Sequence, residues 1–355
     1  MLRLEPRSTQ SFAAAWLSPL MALVLTVITG GVIFLAMGKD PSTALYIYFV
    51  EPLTTTSGLS EVAVKAGPLI LIGIGLSFGF RAGIWNIGAE GQYIAGAIAG
   101  GGLAVFFYES ESTLLLPAML VLGTLGGMAW AAVPALLKTR FNANEILVSL
   151  MLVYVAELLL VHLVQGPWRN PQGWGFPGTR LFPDAATMPL LFSGKRVHLG
   201  TLITLAVPFI AWFILARTRF GFTVRVFGSA PLAARHAGVH GHRMIWQSLL
   251  IGGGLAGLAG VIEATGTIGQ LVPNISPGYG FTAIIVAFLG RLHPLGVLLA
   301  GIAIAVTYIG GEGAQISAGL PKAVTSLFQG IILFYLLAFD LFTRYRIIVS
   351  SRATE

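Results

Sequence analysis

Apolar residues along this chain come in long unbroken runs, unlike the alternation of a half-buried strand or the single stripe of a soluble helix. The runs stand near residues 17–37, 62–80, 92–108, 114–137, 146–165, 200–216, 247–269, 276–290, 294–310 and 323–342. Most approach the ~20 residues a helix needs to cross hydrocarbon, and the short 276–290 run follows Pro273 and Pro277. The pattern predicts an all-α, polytopic membrane protein of about ten transmembrane helices, with 1–355 as one membrane domain. The first run, after Arg3 and Arg7, lacks a small-x-small cleavage site and reads as a retained span.

Composition sharpens this reading. The chain is 55% hydrophobic and 10% charged, whereas soluble domains carry about 25% charged residues. With no cysteine, disulfides, thiolate metal sites, Fe–S clusters and cysteine nucleophiles are excluded. The net charge of +7 invites a nucleic-acid reading, but the basic residues are distributed by topology. With ten spans and both ends inside, Lys39, Lys65, Arg169, Arg180, Lys195, Arg196 and Lys322 fall outside. The other fourteen of the 21, among them Arg3, Arg7, Arg81 and Arg352, fall inside. That bias is the positive-inside rule, and it accounts for the charge without nucleic acid.

Two stretches interrupt the apolar runs with glycine and polar side chains. Arg81-Ala82-Gly83-Ile84-Trp85-Asn86-Ile87-Gly88-Ala89-Glu90-Gly91-Gln92 is the first, and Asn274-Ile275 followed by Gly278-Tyr279-Gly280 echoes it. Non-helical backbone at membrane depth survives only inside protein or beside a water-filled cavity. Paired interruptions point to a path between two pseudo-repeated halves with broken helices. Asn86, Glu90, Gln92, Asn274 and Tyr279 are therefore the candidate path residues. For Glu90 two roles stand side by side: lining or gating the path, or holding the broken helix by accepting backbone N–H bonds. Glu157 and Glu263 read as structural groups facing the protein interior, since an ionised side chain at the helix centre costs about 2.5–3.5 kcal/mol on insertion scales. The pairs Gly96/Gly100, Gly123/Gly127 and Gly253/Gly257 read as packing within the bundle.

Two loops are long enough to carry a role. Gln165 to Leu199, rich in Pro, Gly and Trp, predicts an irregular, ordered outer cap able to receive a partner. Within 217–246, Ser229 stands as a helix N-cap, Pro231 in the first turn and Gly238 as a C-cap glycine. Ser229, Ala230, Pro231, Leu232, Ala233, Ala234, Arg235, His236, Ala237 and Gly238 thus form a short helix on the inner face. Chemistry is sparse: there is no Gly-x-Ser-x-Gly elbow, no His-Glu-x-x-His and no phosphate-binding loop, so the chain is read as no enzyme, and any ATP-driven step needs another polypeptide. His240 and His242 near His236 lack an acidic or thiolate companion, which argues against a metal. His162, His198 and His293 read as hydrogen-bonded residues near span ends.

The run Gly221 to Val239, followed by Leu255-Ala256-Gly257-Leu258-Ala259-Gly260-Val261-Ile262-Glu263, resembles permeases of the branched-chain amino acid, ribose and nucleoside branch of bacterial ABC importers. Phe80 to Gln92 and Asn144-Glu145-Ile146-Leu147-Val148-Ser149-Leu150-Met151-Leu152 resemble the nucleoside and simple-sugar subgroup. The resemblance departs at one place. Many nucleoside members carry an Asn two residues after this Met-Leu, where Val153 and Tyr154 stand here, so a sugar or modified nucleoside stays open. The resemblance implies no cofactor on this chain and a multi-pass location in the bacterial inner membrane. It implies partners: ABC ATPase subunits, a second permease that is a paralogue or a second copy, and an extracytoplasmic solute-binding protein. The 229–238 helix becomes the coupling helix that docks on the ATPase. The alternative from the residues alone is an ion-coupled secondary transporter, which also uses broken helices and intramembrane carboxylates.

Overall fold

A computed structural model of the chain describes residues 2–6 and 12–349; Arg7 and Arg352 of the predicted inner set lie outside them. The chain opens with β1 (Leu2–Pro6), α1 (Phe12–Ala36), α2 (Pro41–Leu45), a π turn at Tyr46–Val50 and α3 (Glu51–Thr54). The long helices α4 (Thr56–Arg81), α5 (Ala89–Phe106), α6 (Leu115–Phe141) and α7 (Glu145–Gln165) follow. Next come α8 (Leu199–Arg217), α9 (Arg219–Ser229), α10 (Pro231–His236) and α11 (Gly241–Ile262), which runs on as a π turn at Glu263–Ile268. Then α12 (Tyr279–Leu289), α13 (Pro294–Ala318), α14 (Ala323–Arg344) and β2 (Tyr345–Val349) complete it. The architecture is helical apart from β1 and β2, which pair antiparallel with Leu2 opposite Val349.

Each apolar run named above overlaps one of these helices, although the 276–290 run begins in the turn before α12. Among the described residues six are long and apolar enough to cross a membrane: α4, α6, α7, α8, α11 with its π turn, and α13. The stretches Leu20–Ala36, Tyr279–Leu289 and Ala323–Phe339 are apolar but shorter. The chain divides into two compact units, Met1–Gly58 with Val306–Glu355, and Leu59–Ala305. The first is built on aromatic rings: Tyr48 stacks on Phe328 at 4.7 Å and Phe34 lies 5.4 Å from Phe328, all three fully buried.

The second unit is built instead on glycine. A methyl group at Gly96 of α5 would meet the backbone of Gly257, one at Gly127 of α6 would meet the carbonyl of Gly253, and one at Gly257 would meet the carbonyl of Gly123. The three glycine pairs thus interlock α5, α6 and α11, and the close backbone approach supplies dispersion contacts where lipid offers no hydrophobic drive. Helix α4 passes beside this seam with Gly75 against Gly252. Its apolar window is 89% buried, against 28% for α6, 22% for α7 and 33% for α8, so α4 is a core helix and the other three show a wide outer face.

Candidate functional site

The first interruption begins where α4 ends. Gly83 adopts a left-handed φ of +72°, and the Ile84 N–H returns to the Gly79 carbonyl at 2.9 Å, a Schellman closure of the helix. Beyond it side chains satisfy the backbone. Asn86 and Gln92 form a reciprocal amide pair, the Asn86 amide donating to Gln92 Oε1 at 2.8 Å and the Gln92 amide to Asn86 Oδ1 at 3.0 Å. Asn86 Oδ1 also accepts the Gly88 N–H at 3.1 Å, and Ser149 of α7 accepts the Ile87 N–H at 3.3 Å. Both amide side chains are buried, at 3% and 1% exposure. Such pairing is what lets irregular chain sit among apolar helices.

Arg81 ties this segment to two distant elements, the turn after α12 and helix α9. Its Nε donates to the Leu292 carbonyl at 2.8 Å, in the turn after α12 where Arg291 and Leu292 both have left-handed φ. Its own carbonyl lies against the backbone of Gly228 in α9, so close that a Cβ there would collide. Burial, with Arg81 adding its charge, holds the neighbouring His293 below the usual imidazole value.

The second interruption, residues 269–278, is held from the opposite side of the sequence. Gly269 turns the chain with φ +76°, and the loop after α7 runs along it. Thr179 N–H donates to the Leu271 carbonyl, Leu271 N–H to Thr179 Oγ1, Phe182 N–H to the Gly269 carbonyl and Met188 N–H to the Thr265 carbonyl, at 2.7–3.0 Å. Arg196 reaches Glu61 at 3.1 Å and the Thr267 carbonyl at 3.2 Å. Within the cap Trp174 is 96% exposed.

Between the two interruptions lies a buried polar cluster. Glu90, in the first turn of α5, accepts the Gly280 N–H in the first turn of α12 through Oε2. Ser276 Oγ accepts from the N–H groups of Gly278 and Tyr279, so α12 has its orphan donors met by two side chains, one of them from another helix. Tyr93 lies edge-on to Tyr279 at 6.0 Å and donates to the Ile275 carbonyl at 3.4 Å. Lys65 sits 5.8 Å from the centre of the Tyr279 ring. Glu263 takes hydrogen bonds from Thr267 and Tyr279.

Of the predicted path residues, Glu90 and Tyr279 meet in this cluster, and Asn86 and Gln92 meet each other a turn away. Asn274 joins neither; it is exposed on the turn before Ile275. Glu90 accepts a backbone N–H, but from Gly280 at the start of α12 and not from its own interrupted segment. Glu263 faces the interior as expected, but Glu157 is a correction: it is exposed on α7. That helix buries the stripe Ser149, Val153, Ala156, Leu160 and Val164, and Glu157 stands one residue off it, beside exposed Tyr154. The short inner helix is corrected at its start. Ser229 closes α9, its Oγ on the Val226 carbonyl, while Ala230 breaks the chain at φ −146° and Pro231 opens α10; Gly238 follows with φ +84°. The sequence predicts a hydrogen-bonded His198, yet neither ring nitrogen has a partner among the described residues, and burial, then the Arg196 charge, lowers it to about 4. Sequence reasoning passed over Arg81, Tyr93 and Lys65 as site residues. The serine two residues before Gly278 was a readable capping signal.

Residues 58–337 match the model of a family described as branched-chain amino acid transport system / permease component. The chain is 38% identical to the glucose ABC transporter permease protein of Haloferax volcanii, over 98% of this chain and 93% of that relative. It is 30% identical to the guanosine ABC transporter permease protein of Bacillus subtilis, over 90% and 92%. To the nucleoside ABC transporter permease protein of Lactococcus lactis it is 26% identical, over 90% of each.

Proposed function

This chain belongs to the family of branched-chain amino acid transport system permease components, and we propose that it lines one side of the membrane path of an ATP-driven importer. The solute is a neutral, hydroxyl-rich molecule of the sugar or nucleoside class, as the names of its glucose and guanosine relatives suggest. ATP hydrolysis belongs to separate ATPase subunits. A solute-binding protein delivers the load to the outer cap, 165–199, and a second permease chain completes the path. Ten helices cross the bacterial inner membrane with both ends in the cytoplasm, an arrangement supported by the excess of basic residues in the predicted inner loops.

The observation that carries this reading is the contact chain from Gly228 through Arg81 to Leu292. The loop 217–246, with α9 and α10, is the element an ATPase grips. Because Gly228 has no side chain, the α9 backbone bears directly on Arg81, at the point where the first interruption leaves α4. A displacement of α9 is therefore delivered to residues 82–88 and to the α12–α13 turn together. From there Glu90 carries it to the first turn of α12, whose N-terminal dipole end faces the cluster. Asn86, Glu90, Gln92 and Tyr279 position the path in this reading, and Asn274 lies at its outer edge. The exposed Glu157 and Tyr154 support a second permease chain against α7, since a carboxylate exposed at mid-span does not face acyl chains cheaply.

The test is reconstitution with the cognate ATPase, second permease and binding protein in proteoliposomes. Labelled sugar or nucleoside accumulates only with ATP and binding protein present. Accumulation by this chain alone, driven by a cation gradient, contradicts the proposal.

A further inference from the structure

Two cavities lie end to end along one face of α11. The larger of the two, about 400 Å³, is lined wholly by apolar surface from α4, α6, α8, α9 and α11, with Met128, Ile210, Ile214 and Leu255 in its walls. The other, about 270 Å³, is polar and is bordered by Thr223, His240, Arg243 and Gln247. Phe220 forms a wall of both, stacked at 6.1 Å on Phe78. Along α11 the lining residues are His240's neighbours Arg243, Met244 and Gln247 for the polar cavity, then Leu250, Ile251, Gly254 and Leu255 for the apolar one. At helical spacing this is a single stripe. The opposite wall has the same order, from Thr223 and Phe220 to Ile214, Ile210 and Val207.

We infer that this groove binds one anionic phospholipid, with an acyl chain between α8 and α11 and the phosphate against Arg243. Three observations select that occupant. The apolar part has no polar lining surface, so a hydrated solute gains nothing there and a hydrocarbon chain does. The polar part offers a guanidinium, a hydroxyl, an imidazole and an amide and no carboxylate, which suits a phosphate. The two join lengthwise at the end of the spans where basic residues collect, where an anionic headgroup sits. Both walls carry elements of the 217–246 loop, so the bound lipid braces α9 against α11.

The experiment is native mass spectrometry of the full chain in its assembled complex, released from bilayers of phosphatidylcholine with added phosphatidylglycerol. One phosphatidylglycerol is retained in preference to phosphatidylcholine. Arg243→Gln lowers that retention about fivefold, the equivalent of one basic residue's attraction at a membrane surface. Ile214→Trp, which fills the apolar part, lowers retention of both lipids while the complex stays assembled. Excess inorganic phosphate leaves the lipid bound. Equal retention of the two lipids, wild-type retention in both variants, or displacement by phosphate alone overturns the inference.

Discussion

Residues 82–88 and residues 269–278 both interrupt apolar runs in the Leu59–Ala305 unit, yet they are held by different means. The first is fastened by side chains: the Asn86–Gln92 amide pair, Ser149, and the Arg81 guanidinium on Leu292. The second is fastened through its own backbone, whose Leu271 and Gly269 carbonyls accept the Thr179 and Phe182 N–H groups of the cap and whose Leu271 N–H donates to the Thr179 hydroxyl. Side-chain clamps can be displaced as a piece by a moving helix, whereas a backbone ladder fixes its partner to the cap. The difference fits an inner end that moves with α9 and an outer end that answers to whatever sits on the cap. Glu90 and Tyr93 of α5 reach across to the second, Glu90 to the first turn of α12 and Tyr93 to the Ile275 carbonyl.

Removing the Glu90 bridge has the largest expected effect. Glu90→Ala leaves the Gly280 N–H buried without an acceptor and forfeits a hydrogen bond to a charged or polar carboxyl group, about 1.5–3 kcal/mol. Uptake by the reconstituted complex falls steeply and its melting temperature drops, while Glu90→Gln, which keeps an acceptor, loses less. Wild-type uptake and melting in Glu90→Ala would remove the bridge from the account.

The amide pair comes next. Asn86→Leu or Gln92→Leu alone strands a buried amide at about 1–3 kcal/mol, but the double replacement costs less than the sum. Denaturation of the four forms reads the coupling; strict additivity would mean the two amides do not hold each other. At the other interruption, Thr179→Val removes one bond of a ladder whose reverse bond survives, at about 1 kcal/mol. Hydrogen exchange at the Leu271 amide quickens while exchange at residues 84–88 stays as it was. A matching change at both places would erase the contrast between them.

The last effect is one of pH. His198 is held neutral down to about pH 4 against an ordinary value of 6.5, so the unfolded chain binds the proton first. Stability of the cap is full above 6.5 and is lost as pH falls toward 4. Exchange at residues 265–271 therefore rises more steeply in that window for wild type than for His198→Leu. Identical profiles would show that the imidazole contributes nothing there.

Much of this was legible beforehand, for reasons that differ by residue. Long apolar runs locate helices because hydrocarbon demands internally bonded backbone, and the three glycine pairs announced close packing before their partners were known. The partner of Glu90 was not legible, since Gly280 lies far along the chain and only folding brings α12 to α5. Asn274 echoes Asn86 in sequence but not in surroundings: one is exposed on a turn, the other is sealed by Gln92. Ser229, two residues before Pro231, has the sequence of a helix cap but ends α9, since the same hydroxyl serves equally to close a helix. Exposure of Glu157 depends on which stripe of α7 is buried, and in a helix apolar all round the sequence does not say.

The central claim is that α9 drives the first interruption through bare backbone contact at Gly228. It is tested by Gly228→Val in the assembled importer, with ATP hydrolysis and solute uptake measured on the same proteoliposomes. A Cβ at this position meets the Arg81 carbonyl, so the account predicts assembly and ATP hydrolysis near wild type with uptake down by about tenfold or more, ~1.4 kcal/mol on the rate-limiting step. Uptake that keeps pace with hydrolysis in this variant would contradict it.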